Sequence, residues 1–114
     1  MVGVVGVVGS RDGFTRERVH TVLEKLVVST DMLVSGGARG VDSYVESFAV
    51  YKGNPIKIIR PRNPSNKLDY LFRNVEIIAV CDWLIVFWNG RSKGTKFVID
   101  YAKSRNKRVE LIKK

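Results

Sequence analysis

The residues of this chain best suited to chemistry lie in three polar turns rich in glycine, hydroxyls and arginine: Gly9-Ser10-Arg11-Asp12-Gly13, Ser35-Gly36-Gly37-Ala38-Arg39-Gly40-Val41-Asp42, and Asn89-Gly90-Arg91-Ser92-Lys93-Gly94-Thr95. The chemistry they suit is anion binding. Glycines let the backbone come close to an oxygen, and the first turn of a helix presents unpaired N–H groups at the positive end of its dipole. Arg39 adds a planar charged fork matched to phosphate or carboxylate. Ser10, Ser35 and Thr95 offer hydroxyl donors to the same anion, or else cap their own turns. Asp42 has two candidate roles, holding Arg39 or accepting from a ribose hydroxyl, beside the ordinary one of a first-turn acid. The second turn has neither the Gly-x-Gly-x-x-Gly of a dinucleotide fold nor the Gly-Lys-Ser/Thr ending of a P-loop.

The elements that must position these turns follow from hydrophobic periodicity. Val2 to Val8 is a β-branched strand. Gly3 and Gly6 point to its opposite faces and would let a helix approach each, as in the centre of a parallel sheet. Thr15 caps a helix from Arg16 to Val28 with Val19, Val22, Leu23, Leu26 and Val27 on its apolar face. Asp31 to Ser35 is a second strand. The helix after it buries Val41, Tyr44, Val45, Phe48 and Ala49 and ends near Lys52, with Gly53 as a left-handed cap before Pro55. Ile56 to Arg60 is a third strand, halted by Pro61 and followed by a loop to Asn66. A third helix carries Leu68, Leu71, Phe72, Val75, Ile78 and Ala79 as its apolar face, with Arg73, Asn74 and Glu76 on the polar side. Asp82 to Trp88 is an apolar, central strand. The fourth helix turns Phe97, Val98, Tyr101 and Ala102 inward and ends at Asn106, before a last strand from Arg108 to Ile112.

This alternation predicts an α/β fold, a doubly wound parallel five-stranded sheet with right-handed crossovers and helices on both faces. With the first strand central, the order 3-2-1-4-5 brings the ends of strands one, two and four to the switch point where open α/β sheets bind ligands. The three polar turns follow those three strands. Trp88, at the end of strand four, is placed either to pack the core or to stack on a base; Trp83 reads as core or interface.

At 114 residues the chain is read as one domain, residues 1–114, with 45% hydrophobic residues to build a core. No apolar run approaches the ~20 residues that span a bilayer, and the start lacks a basic signal-peptide region. The single cysteine, Cys81, allows no internal disulfide and no metal cluster, which fits a reducing, cytoplasmic setting. His20, the only histidine, lies on a helix without partners for a metal site or a triad, so no metal ligand is assigned. Twenty Lys and Arg against 11 Asp and Glu give a formal charge of +9, which favours anionic partners. Lys103, Arg105, Lys107, Arg108, Lys113 and Lys114 crowd the carboxyl-terminal end. A second basic group, Lys57, Arg60, Arg62 and Lys67, surrounds two prolines.

Three segments together resemble a known group: Val8-Gly9-Ser10-Arg11; Val34-Ser35-Gly36-Gly37-Ala38-Arg39-Gly40-Val41-Asp42; and Arg73-Asn74 followed by Ile77-Ile78-Ala79 and Asp82-Trp83-Leu84-Ile85-Val86. They are similar to the Rossmann-like domain of the DNA-processing protein DprA (Smf) and to the superfamily joining it to the LOG "lonely guy" proteins. Small stand-alone proteins carrying Ser-Gly-Gly-Ala-Arg-Gly-Val-Asp, of unknown function, look most alike. The resemblance implies a nucleotide or single-stranded nucleic acid over the carboxyl ends of the strands, and frequently a homodimer. Arg39 and Arg73 are then the first choices for phosphate contact, with Asn74 beside Arg73. LOG enzymes cleave a nucleoside monophosphate with a Gly-Gly-x-Gly-Thr-x-x-Glu motif. The matching place here reads Gly94-Thr95-Lys96-Phe97-Val98, with valine where that glutamate stands. Catalysis of that kind would need another acid, such as Asp42 or Glu76. The expectation is therefore a binding protein rather than an enzyme, with a nucleotide-like ligand and no assigned cofactor. The rivals are a single-stranded nucleic-acid binder and a nucleotide-processing enzyme.

Overall fold

Strands and helices alternate in the computed structural model, which describes residues 3–114; Val2, assigned above to the first strand, lies outside the described residues. The elements are β1 (Val4–Gly9), α1 (Arg16–Leu26), β2 (Met32–Ser35), α2 (Val41–Lys52), β3 (Ile56–Ile58), α3 (Lys67–Val80), β4 (Trp83–Trp88), α4 (Lys93–Ser104) and β5 (Arg108–Lys113). All five strands pair in parallel in one sheet of order β3-β2-β1-β4-β5, the order expected.

Alternate residues of the inner strands serve two cores. Val5 and Val7, with Leu33, Ile85 and Phe87, pack against Val19 and Leu23 of α1 and Val45 and Phe48 of α2. Val8, Val34, Leu84 and Val86 pack against Ile77 and Ile78 of α3 and Val98 and Ala102 of α4. Because both faces are covered, β1 and β4 read as nearly unbroken apolar runs. Close helix approach falls at Gly6 and Gly9, not at Gly3 and Gly6. A Cβ on Gly6 would lie 3.2 Å from Cys81 Sγ and 3.3 Å from Ile77, and one on Gly9 would overlap Val41 at the start of α2, whereas Gly3 abuts the Asp31 side chain.

Side chains of Thr15, Asn66 and Ser92 accept from the N–H groups of Arg18, Leu68 and Thr95 and so begin α1, α3 and α4. Gly53 and Asn106 take left-handed conformations, at φ 79° and 60°, beyond the ends of α2 and α4. Helix α1 stops at Leu26 rather than Val28. The Val28 N–H donates to Asp31 Oδ2 at 2.9 Å, which turns the chain toward β2. Strand β3 ends at Ile58 rather than Arg60. Ile59 N–H still reaches Ser35 O at 2.9 Å, and the Arg60 guanidinium then folds back to Gly37 O.

The largest departure is the facing of α3. Its expected core residues Leu68 and Phe72 are 57% and 61% exposed and Ala79 is exposed, while Arg73, Asn74, Ile77 and Ile78 are buried. Periodicity places the apolar stripe inward because it takes the inner surface to be apolar. Here the inner surface near the middle of α3 is the polar end of the sheet, where Arg73 donates to Gly36 O. No helix among the described residues is long and apolar enough to cross a membrane.

Candidate functional site

The turns after β1, β2 and β4 converge at the carboxyl ends of their strands around a crevice of about 980 Å³. Of the residues expected there, Gly9 and Arg11 come from the first turn, Gly36, Ala38 and Asp42 from the second, Gly94 and Thr95 from the third, and Arg73 and Asn74 from α3. The first two turns touch, since a Cβ on Gly40 would run into the Arg11 carbonyl, and Gly40 takes φ 77°, a conformation suited to glycine. The first and third are tied by hydroxyls. Ser10 Oγ accepts from Asn89 N–H at 3.1 Å and lies 3.5 Å from Thr95 Oγ1, which pairs at 3.0 Å with Ser92 Oγ.

The other expected residues stand outside the crevice lining. Ser10 is buried in that hydroxyl chain, and Ser35 is buried at the end of β2. Gly37, at φ 71°, faces Ile58 and Arg60, and Gly40 is the uncapped entry to α2. Arg39 is exposed and makes no hydrogen bond or ion pair among the described residues. Trp88 donates its indole N–H to Ser92 O at 3.0 Å and packs on the core under α3 and α4, so its ring braces the third turn from behind.

Of the two arginines expected at the site, Arg73 lines the crevice and Arg39 does not. Arg73 Nη1 donates to Gly36 O at 2.5 Å and its Nε to Asn74 Oδ1 at 2.8 Å. The guanidinium lies 5.4 Å from the Tyr70 ring centroid, with Arg11 5.9 Å from the same ring. Across from it, Asp42 does not hold Arg39. Its Oδ2 accepts from Ala38 N–H at 3.1 Å, folding the second turn over the start of α2. Burial pushes the Asp42 carboxyl up from 3.8 to about 6, although the Ala38 N–H and the charge of Arg73 both favour ionisation; Glu46 adds repulsion. The Ser35 hydroxyl also eases the charge slightly but falls short of hydrogen-bond geometry, and both Ser35 Oγ and Asp42 Oδ1 are buried without a partner. Burial pulls Arg73 below its ordinary value, with Asp42 acting the other way; an arginine there stays charged.

No protein-family model matches the chain, and no curated protein matches it. Solved structures do. DNA processing protein A (DprA) from Streptococcus pneumoniae superposes with a TM-score of 0.83 at 21% identity, over 94% of this chain and 49% of that one. The chain has the Rossmann-like fold of DprA. DNA processing protein A from Helicobacter pylori, solved for its single-stranded DNA binding mode, gives a TM-score of 0.76 at 21% identity, over 93% of this chain and 63% of that one. TM1055, a structural-genomics target, gives 0.72 at 21% identity, over 94% and 72%. The resemblance of the three segments to the DprA–LOG superfamily thus holds for the fold, and this chain spans about half the length of the first of these DprA structures.

Within this DprA-type fold the crevice recruits residues that motif reading passed over. Asp12, Asn89, Arg91 and Ser92 belong to turns recognised in the sequence but were not assigned to the site, and Lys67 and Tyr70 come from the start of α3. A cue for Asn89 was available: its Oδ1 accepts from the N–H groups of Arg91 and Ser92, the habit of an asparagine opening a turn. Lys67 belongs to the basic group around the two prolines, whereas nothing local marks Tyr70. Val98, at the place of the LOG glutamate, is fully buried in the core under α4. Of the two acids named above as alternatives to it, Asp42 lines the crevice, whereas Glu76 lines an adjoining recess of about 350 Å³ with Arg60, Arg62, Asp69, Phe72 and Arg73. Among the described residues no group of three His, Cys, Asp or Glu side chains is placed to hold a metal ion.

Proposed function

We propose that residues 1–114 act as one domain that binds a nucleotide by its phosphate in this crevice, as a binding protein rather than a catalyst. The observation that carries the reading is the crevice itself. Three strand-end turns meet around a volume suited to a mononucleotide, where Arg11, Lys67, Arg73 and Arg91 outnumber Asp12 and Asp42. Calorimetric titration with adenosine monophosphate and with pyrophosphate tests it. Binding is expected for both. Arg91→Ala should weaken it by about 1.5–3 kcal/mol, the worth of a charge-assisted hydrogen bond, while Arg39→Ala should change it far less. No heat with either probe, from a folded sample, overturns the reading.

A second reading, a single-stranded nucleic acid as ligand, is favoured by one specific observation. Through Arg73 the crevice adjoins the recess lined by Arg60, Arg62 and the exposed Phe72, which extends the cationic path beyond one nucleotide and supplies a ring for stacking. The DprA structure solved for single-stranded DNA binding supports the same ligand class. For about four phosphate contacts the slope of log K against log salt should be about −3, with affinity rising as the oligonucleotide lengthens; a mononucleotide should show a much shallower slope. Assembly as a homodimer and residence in the cytoplasm complete the proposal, and sedimentation velocity measures the mass.

A further inference from the structure

The two edges of the sheet differ. At one, β3 pairs over only three residues, and Arg60 folds back across the turn beside it. At the other, β5 pairs with β4 without a bulge over six residues, Arg108 to Lys113, and none of its residues lines the crevice. In a parallel ladder the N–H and C=O of one residue point to one side and those of the next residue to the other. Lys114 N–H donates to Trp88 O at 3.2 Å, so Arg108, Glu110 and Ile112 face β4, while Val109, Leu111 and Lys113 turn their N–H and C=O groups outward. Among the described residues, Arg18 alone meets this outer row, its Nη2 donating to Lys113 O at 2.5 Å. The side chains of Val109 and Leu111 are half-buried against the core under α3 and α4. An edge of this length is a template for another strand unless charge, proline or a bulge blunts it.

No proline or bulge interrupts Arg108 to Lys113, so charge alone blunts this edge, and the charge is of one sign. Lys103, Arg105, Lys107, Arg108, Lys113 and Lys114 flank or belong to β5, against one carboxylate, Glu110, which pairs with Arg108 at 3.7 Å. Such an edge turns away a second copy of itself. Two-fold pairing that joins the outward groups centres on Val109 or on Leu111. The first register sets Lys113 opposite Arg105 of the other copy and the second sets Lys114 opposite Arg108, and like charges directly opposite each other are destabilising. The Arg108–Glu110 contact that the first register would add is already made within each chain. A strand carrying carboxylates meets attraction instead.

We infer that the outer edge of β5 takes an extended segment of another protein as a sixth strand, with acidic residues flanking a β-branched centre. Its backbone pairs with Val109 and Leu111, and its centre lies beside their side chains. Its acids meet Arg108 at one end and Lys113 and Lys114 at the other. Neither the nucleotide nor its crevice is involved, so the two readings stand or fall separately.

The test uses two capped peptides, Glu-Asp-Val-Thr-Val-Asp-Glu and Lys-Lys-Val-Thr-Val-Lys-Lys, with affinity and amide exchange followed by nuclear magnetic resonance on the full chain. In the free protein the amides of Val109, Leu111 and Lys113 should exchange rapidly and those of Glu110, Ile112 and Lys114 slowly. The acidic peptide should slow the outward set and bind at least about tenfold more tightly than the basic one, because opposed like charges reject the wrong partner. Leu111→Pro removes an outward N–H and no bond to β4, and should weaken the acidic peptide at least about tenfold. Lys113→Glu combined with Lys114→Glu, confined to exposed side chains, should reverse the preference between the peptides, and it decides the matter if the proline disturbs the fold. Equal affinity for both peptides, or outward amides left unslowed by the bound acidic peptide, overturns the inference. So does failure of the acidic peptide to bind folded wild type. Outward amides already slow before any peptide is added also overturn it, and a doubled mass would then assign the edge to a second copy. Perturbation of the same amides by oligothymidylate but not by the acidic peptide overturns it in favour of single-stranded nucleic acid.

Discussion

The two sides of α3 are built in reverse of an ordinary amphipathic helix. Its inner side buries Arg73 and Asn74 along with Ile77 and Ile78, while its outer side leaves Leu68 and Phe72 largely in water. Each turn of the inner side faces something different. Ile77 and Ile78 lie over Gly6 and the apolar middle of the sheet, where dispersion and loss of water reward burial. Four residues earlier, Arg73 and Asn74 lie beyond the strand ends, where carbonyls such as that of Gly36 await donors. The difference teaches that a helix crossing from the body of a parallel sheet to its carboxyl edge changes the chemistry of its buried face on the way. The crossing point marks the site.

Substitutions along α3 and opposite it sharpen this contrast, from the largest expected effect to the smallest. Ile77→Ala should cost about 2–5 kcal/mol in urea unfolding, because it removes packing under Gly6 and leaves a cavity. A loss below 1 kcal/mol would show that α3 is not clamped there. Arg73→Ala should cost about 2–3 kcal/mol by leaving the Gly36 carbonyl and Asn74 without their donor. Unchanged stability would mean that the arginine is held only loosely and that the polar turn of the helix is open to water.

Asp42, across the crevice from that arginine, makes stability depend on pH. The folded chain keeps a proton on this carboxyl up to about pH 6, the unfolded chain only up to about 3.8. Between those values the folded state binds more protons, so this group stabilises the fold as pH falls and the contribution is lost as pH rises through 6. From pH 7.5 to 5 the gain should be about 1.4 kcal/mol, and it should be missing from Asp42→Asn. Identical pH profiles for the two proteins would remove the buried acid from the account. The smallest effect belongs to the outer side. Phe72→Ser should shift stability by less than about 0.5 kcal/mol, since the ring is already in solvent; a loss above 2 kcal/mol would mean that the outer stripe is covered in solution.

Much of this molecule was legible in its sequence. Thr15, Gly53 and Asn106 announce helix ends by their own side-chain or backbone chemistry, and the apolar runs of β1 and β4 require cover on both faces. Those features, with the alternation of elements, suffice for a parallel sheet of order 3-2-1-4-5, because sterics and handedness leave few ways to connect such units. The three turns were recognisable because glycine and hydroxyl residues cluster for reasons of local geometry. What no local pattern determines is which side chain a turn meets across space. Arg39 and Arg73 were equal candidates on their motifs, yet Arg39 is exposed while Arg73, from the polar side of α3, lines the crevice. Asp42 is ordinary as a first-turn acid and becomes unusual only when Ser35, Ala38 and Arg73 enclose it. Sequence determines periodicity and propensity, which are properties of neighbours along the chain. Desolvation and the pairing of distant polar groups arise only once the sheet has brought the three turns and α3 together.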